Sequence, residues 1–450
     1  MAQKVFTKTA DPGIVEQIDI FSNVDNGATS VSIINGMTSM RYVESIMSDT
    51  IKMSITFVDS GNSINDKSVI EGLPLVGQEK VKIKFKDNNE NLIGDKPELI
   101  LYVNKITPVD SQTQKSIIII DLVSKEYILN EKIRINKRYD GKISDHVKDI
   151  MSSKLKTEKK VNVEDSINEY NFFGNNKKSF YTISWLARKA VSAKSQSLGK
   201  SAGYFFYETA DGFFFKSIDG LLEQEPKLKL IYNETPDINN QLPEGYDQKV
   251  LDLTKMVNVN VQEKLKMGTY SNRVVLFDPF TCYYEVKAPI TSENGMEDSL
   301  KKGGKNLYLG GKYRNKEFDI PGTNEDYSRT QYYLLDKGTA PSGNSDQQIS
   351  KSTDENFEYG QIANPSIMRY NQLYSMRASI TIAGNFSLHA GDTIYMDSPG
   401  LETEKTGEVD YQDGGLYIIT DICHQVTAKG TFTKCNLARD SFGRKPKASS

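Results

Sequence analysis

Three histidines and three cysteines are the side chains in this sequence whose types and clustering first invite a chemical reading. His389 and His424 lie in the same β-rich part of the chain as Cys423 and Cys435, and two thiolates with two imidazoles can hold zinc. The spacing matches no zinc-binding pattern, however. Cys423 and His424 are also adjacent, and neighbours on a strand point to opposite faces. His146 sits among charged residues on a helical stretch and reads as solvent-facing. No Gly-x-Ser-x-Gly elbow occurs, and Gly199-Lys200-Ser201 has Lys194 where a phosphate-cradling loop needs glycine. Lys302-Gly303-Gly304-Lys305 follows no strand and reads as a loop. Glu223 and Glu225 lie in polar turns among 59 acidic residues, too common a pairing to mark acid–base chemistry. The lysine-rich run 154–160 reads as a solvated helix end. The sequence thus offers no catalytic residues, no metal ligands and no cofactor site.

What it does offer is β-structure. Twenty-four tyrosines and 19 phenylalanines against one tryptophan favour strands over helical bundles. Ile51, Met53, Ile55 and Phe57 alternate with polar residues, as do Val81, Ile83 and Phe85 with lysines, giving half-buried strands. Residues 99–106 and 116–123 add two more. Ile143, Val147, Ile150, Met151 and Leu155 then fall on one helical face. A second apolar stripe runs from Ile183 to Val191, with Trp185 on its core side. Two aromatic strands flank Ala210-Asp211-Gly212, a strong hairpin signal. Their aromatics Tyr204, Phe206, Phe213 and Phe215 are candidates for core or interface, because consecutive aromatics require cover on both faces. Residues 286–365 are polar and loop-rich, long enough to suggest a functional insertion.

The β-structure repeats. Leu75-Val76-Gly77 followed by Val81 and Ile83 parallels Leu388 to Gly391 followed by Ile394 and Met396. The run Leu122 to Tyr127 parallels Leu437 to Phe442. Gly77 and Gly391 read as matched turns, and Gly384-Asn385 as a hairpin between two strands. Net charge is -3, without the basic excess of a domain that grips nucleic acid. No stretch reaches 18 apolar residues and the first residues carry no apolar signal core, so a soluble protein made in the cytoplasm is expected. The odd, dispersed cysteines make no disulfide framework.

Taken together, Ser45–Phe57 with Leu73–Glu79, the Trp185 helix, the Tyr204–Ile218 hairpin and the span Ser379–Leu437 resemble the baseplate hub proteins of contractile-tailed bacteriophages. The resemblance covers most of the chain apart from residues 286–365. It implies a mainly β fold with two antiparallel tube-type β-barrels of similar topology, an inserted α+β domain and a long surface insertion. The expected division is 1–125 first barrel, 126–249 α+β domain, 250–285 start of the second barrel, 286–365 insertion, 366–443 remainder of the second barrel, and 444–450 tail. The resemblance further implies a homotrimer forming a pseudo-sixfold ring in the virion baseplate. Its expected partners are the tail tube protein, the central spike protein and other baseplate proteins, with DNA passing through unspecifically. A cell-wall hydrolase and a glycan-binding adhesin are the alternatives, the first lacking a carboxylate constellation, the second suggested by the aromatics.

Overall fold

The computed structural model describes residues 13–442 other than 62, 63, 65, 113–114, 194–202, 233–241, 243–244, 258–259, 270, 280, 288–289, 292–304, 307–327, 340–343, 354–355 and 399–413. Side-chain alternation builds the first unit. Its strands are β1 (Ile14–Phe21), β2 (Ser30–Ser32), β3 (Met37–Ser45), β4 (Lys52–Asp59), β5 (Lys80–Lys86), β6 (Leu99–Ser111) and β7 (Ser116–Val123). They pair in the order β2-β1-β5-β6-β7-β4-β3. Along β4, Met53, Ile55 and Phe57 enter the core while Lys52, Ser54 and Thr56 face out.

An α+β domain follows. It holds helix α1 (Ile143–Asp149), strand β8 (Val161–Val163), helix α2 (Ser179–Ala187) and the hairpin β9 (Tyr204–Thr209) to β10 (Gly212–Ser217). The second unit comprises β11 (Lys229–Tyr232), β12 (Gln248–Val257), β16 (Met376–Ala383), β17 (Thr393–Asp397), β18 (Gly415–Thr427) and β19 (Gly430–Arg439). These close into a barrel in the order β18-β17-β11-β12-β16-β19 and back to β18. Between β12 and β16 lie β13 (Ser271–Asp278), β14 (Tyr283–Val286), β15 (Arg329–Leu334) and helix α3 (Asn364–Leu373).

The two units share topology and register. The path β3-β4-β7-β6-β5-β1 in the first corresponds to β12-β16-β19-β18-β17-β11 in the second. The pair Met40–Ile55 corresponds to Leu253–Ile380, and the pair Val103–Leu122 to Ile419–Leu437. Two irregularities match as well, although the bulges at Val15/Gln17 and Pro108/Asp110 have no counterpart in the second unit. A bulge at Met37/Ser39 recurs at Val250/Asp252, and one at Val103/Lys105 recurs at Ile419/Asp421. A bulge displaces every later residue of its strand by one, so coincidence at two places marks a real duplication. Leu122 and Leu437, paired by the sequence pattern, occupy the same position. The units differ in closure. Parallel pairing of β11 with β12 seals the second, whereas among the described residues β1 and β3 form no ladder. Phe386 of the second unit instead enters the first core, edge-on to Phe85 at 5.1 Å.

Three expectations are corrected. Gly384-Asn385 joins no hairpin: β16 pairs with β12 and β19, and β17 pairs with β11 and β18. Gly384 is required because a Cβ there would strike the Thr431 side chain. Residues 271–286 leave the second barrel. With β15 they form a separate sheet whose Val274 and Leu276 join the α+β core, as do Phe357, Tyr359 and Ile362 from the expected loop insertion. His146 is buried and bonds through Nε2 to the Tyr170 carbonyl at 2.8 Å, so the flanking charges misled. The runs 194–201 and 302–304, with most of the insertion and the tail, lie outside the described residues.

Gly77 and Gly391, expected as matched residues, lie one position apart in corresponding turns: Gln78 and Gly391 donate to the equivalent carbonyls of Val103 and Ile419, and Gly77 and Gly391 have φ of 107° and 86°, the region that favours glycine. A Cβ at Gly77 meets only the Val103 carbonyl oxygen, at 4.0 Å, whereas one at Gly391 would collide with the Tyr207 hydroxyl. Both changes to alanine add backbone strain, but Gly391→Ala also overpacks and should cost ~1–3 kcal/mol more than Gly77→Ala. Guanidinium unfolding midpoints test this, and equal losses would contradict it.

Candidate assembly surface: one wall across two barrels and its buried junction

The barrels do not merely touch. Strand β18 is long enough to pair twice on the same side. Gly415–Ile418 pair with β17 of its own barrel, and Asp421–Thr427 pair antiparallel with Ser39–Ser45 of β3 in the other. The result is one unbroken sheet, β6-β7-β4-β3-β18-β19-β16-β12, running through both units. One face supplies the two cores. On the other, directly opposed side chains form rows that cross the junction. One row reads Asp252, Thr381, Lys434, Cys423, Val43, Lys52, Val123. Another reads Phe432, Gln425, Arg41, Ser54, Asp121, Lys105. Apart from the buried Val123, these residues are half-buried or exposed. Hydroxyls, amides and charges of both signs predominate, so the face is wet and without a dominant field.

Beneath the junction lies Glu44, on the same strand face as Met40 and Tyr42 and fully buried. Its carboxylate accepts the Tyr42 hydroxyl at 2.7 Å, the Ala210 amide at 2.8 Å and the Ala390 amide at 3.0 Å. His389 Nδ1 donates to both its oxygens at 3.1 and 3.2 Å. Glu44 therefore ties the first unit (its own strand) to the α+β hairpin tip (Ala210) and to the β16–β17 loop of the second unit (His389, Ala390). Burial pushes the carboxyl up, but the imidazolium and the donated hydrogen bonds outweigh it and hold it below the usual range. For His389, burial pushes down and the Glu44 charge pushes up. The charge wins and raises the imidazole to about 9, with Asp392 and Asp211 adding to it. His424 takes the opposite state. It is buried against Tyr42 and bonded to the Leu388 carbonyl and Thr433 hydroxyl, and desolvation lowers it to about 4.

The β9–β10 hairpin clips this junction. Phe206, Phe213 and Phe215, with Tyr204, face the α+β core. Phe205, Tyr207 and Phe214 face the second barrel, so the cover demanded by consecutive aromatics is intramolecular. At its tip, Glu208 accepts the Ile51 amide of the first unit at 3.1 Å and pairs with Lys159. Trp185 lies in an aromatic box with Tyr170, Phe357 and Tyr359, and the Lys189 ammonium sits 4.2–5.5 Å from the four ring centres. Burial lowers Lys189 to about 8. Among the described residues no group of three or more His, Cys, Asp or Glu side chains is arranged for a metal. Cys423 lies on the wet face and Cys435 in the core. Glu44 escaped the sequence reading, although its parity with Met40 and Tyr42 marks it as inward-facing.

Because His389 is raised in the fold, its contribution is full below its ordinary pKa near 6.5. It is lost as pH rises through about 9. The melting temperature should therefore fall between pH 7 and 10, and His389→Gln should flatten that fall. A profile unchanged by the substitution would contradict the assignment. Glu44→Gln removes the imidazolium's nearest carboxylate, leaving Asp211 at 3.7 Å, and should cost about 3–5 kcal/mol, measurable by chemical denaturation.

No family model matches the chain and no curated protein matches it in sequence. Solved structures do match its fold. A tail protein from Neisseria meningitidis MC58 aligns over 96% of this chain and 99% of its own, at 7% identity and a TM-score of 0.51. The 43 kDa tail protein of prophage MuSo2 from Shewanella oneidensis aligns over 95% and 100%, at 10% identity and 0.49. Prophage tail protein gp18 from Listeria monocytogenes EGD-e aligns over 94% of each chain, at 10% identity and 0.46. The fold of this chain is thus similar to that of a solved tail protein.

Proposed function

We propose that the protein is a structural baseplate hub with no catalytic role. Copies would assemble into a trimeric, pseudo-sixfold ring that joins the tail tube to the central spike. The observation that carries this is the duplication fused through β3 and β18. Two units of one topology, joined in one wall, would make up a third of a ring of six related β units. Closed cyclic assembly is the common fate of such head-to-tail contacts. The wet face of the wall then lines the channel. Its Arg41, Lys52, Lys105, Arg377 and Lys434 are interspersed with Asp121, Asp252 and Asp421, and such a mixed face would let a polyanion pass without the many simultaneous phosphate contacts that would hold it. The tube and spike proteins would bind the two rims of the ring. Placement in the virion tail and synthesis in the host cytoplasm belong to the same reading.

Native mass spectrometry tests the assembly. A trimer is expected, alone or on addition of spike protein. Monomer and dimer only, at every concentration and with spike present, would overturn the ring. Peptidoglycan turnover by the pure protein would overturn the purely structural role.

A further inference from the structure

We infer that the cleft between α2, β9 and α3 is a binding site for an aromatic carboxylate, with the ligand's ring among the cleft's own rings and its carboxylate on the Arg188 guanidinium. The inference goes beyond the ring reading and does not depend on it, since a single copy of the chain builds the whole cleft.

The cleft has a volume of about 750 Å³, within the roughly 300–1,000 Å³ of small-molecule sites. Its walls come from α2 and the two residues after it, β9, Tyr333 of β15, and α3 with the turn before it. Ile46 and Met47 of the β3–β4 loop complete it. Two hydrogen bonds tie the walls together without filling the space. The Ser366 hydroxyl donates to the Arg188 carbonyl at 3.1 Å, and the Tyr370 hydroxyl donates to the Tyr204 carbonyl. Phe205 stands edge-on to Tyr370 at 5.3 Å. The cleft is therefore preformed.

The lining sets the chemistry of the occupant. Nine of its side chains are Trp, Tyr or Phe, and aromatic pairs in stacked or edge-on geometry gain more than their buried area alone supplies. The charges are one-sided. Arg188 and Lys189 line the cleft, and among the described residues no Asp or Glu does. The two cations differ in what they already hold. Lys189 fills its aromatic box and lies 3.9 Å from Asp336, outside the lining. A cationic ligand thus finds neither a vacant cage nor a carboxylate here. Arg188 is exposed and forms no ion pair with a described residue. Burial raises the Tyr333 and Tyr370 hydroxyls, and the Arg188 charge opposes it at both, so the guanidinium lies within reach of the two rings. A planar fork of free donors beside aromatic walls suits a carboxylate, which it can grip with two parallel hydrogen bonds. Just after α3, the Tyr374 hydroxyl is buried and has no partner among the described residues, a deficit that a polar atom of the ligand would relieve. A free small acid and the C-terminal aromatic residue of a polypeptide present the same chemistry.

Trp185 lines the cleft and is the chain's only tryptophan, so its fluorescence reports occupancy of this site in the full-length protein. Titration with 3-phenylpropionate should give a saturable change. The uncharged 3-phenylpropanamide, of the same shape, should bind roughly tenfold more weakly, the worth of a charge-assisted hydrogen bond. Arg188→Gln should weaken the acid by about the same factor and leave the amide unchanged. Its melting temperature should match that of the parent, because the side chain is exposed and unpaired. An acetylated dipeptide ending in phenylalanine with a free carboxylate separates the sources. Binding as tight as that of the small acid supports a chain end as the occupant, and binding of the small acid alone supports a free metabolite. No saturable change with acid or peptide, an amide that binds as well as the acid, or an Arg188→Gln protein that binds the acid like the parent would each overturn the site. None of these results touches the ring, and loss of the trimer would leave the titration unchanged.

Discussion

The structure depends on a constraint set at Glu44. A carboxylate taken fully out of water must be saturated by donors, and here the donors come from different parts of the chain. Tyr42 supplies one from the same strand, Ala210 from the α+β hairpin, and His389 and Ala390 from the second unit. An ion pair of this kind is a weak source of net stability, because desolvation offsets most of the attraction. Its value lies in specification. The observed docking of hairpin and second unit onto β3 satisfies the charge, and the same setting lets β3 and β18 form a ladder.

That ladder turns two barrels into a single wall, and the rest of the chain follows from keeping it intact. Insertions are accommodated where they do not interrupt it. The α+β domain enters between the units. The β13–β15 sheet and α3 enter between β12 and β16, where the first unit needs only the short connection from Ser45 to Lys52. Both insertions pack on one common core, with Val274, Leu276 and Phe357 alongside Phe180, Phe206 and Phe213. Phe386 crosses in the other direction and fills the unit whose own ring is left open. The hairpin's two aromatic faces belong to the same economy: one face seals the insertions, the other seats the second barrel.

Much of this was legible in the sequence because strand periodicity is local. Val81 and Ile83 declare an inward face, as do Ile394 and Met396, and a turn stands before each, with Gly391 aligned to Gln78 and not to Gly77. The relation of Leu122 to Leu437 held in register for the same reason. What escaped was non-local. Gly384-Asn385 carries turn chemistry, yet the demand on Gly384 is close approach to Thr431, some fifty residues onward. The parallel β11, only Lys229–Tyr232, closes the second barrel by pairing with strands far apart in sequence. His146 looked solvated because its neighbours in sequence are charged, while its neighbours in space are Tyr139 and Phe172. Glu44 could have been found by asking why an acidic residue occupies the buried parity of its strand.

The central claim is that two units of one topology are fused into a single wall through β3 and β18. Electron cryomicroscopy of the assembled protein tests it most directly. The account predicts strand density that runs without a break from β18 to β3 along the wall of a closed ring. Separate units with a gap in strand density between β18 and β3 would contradict it.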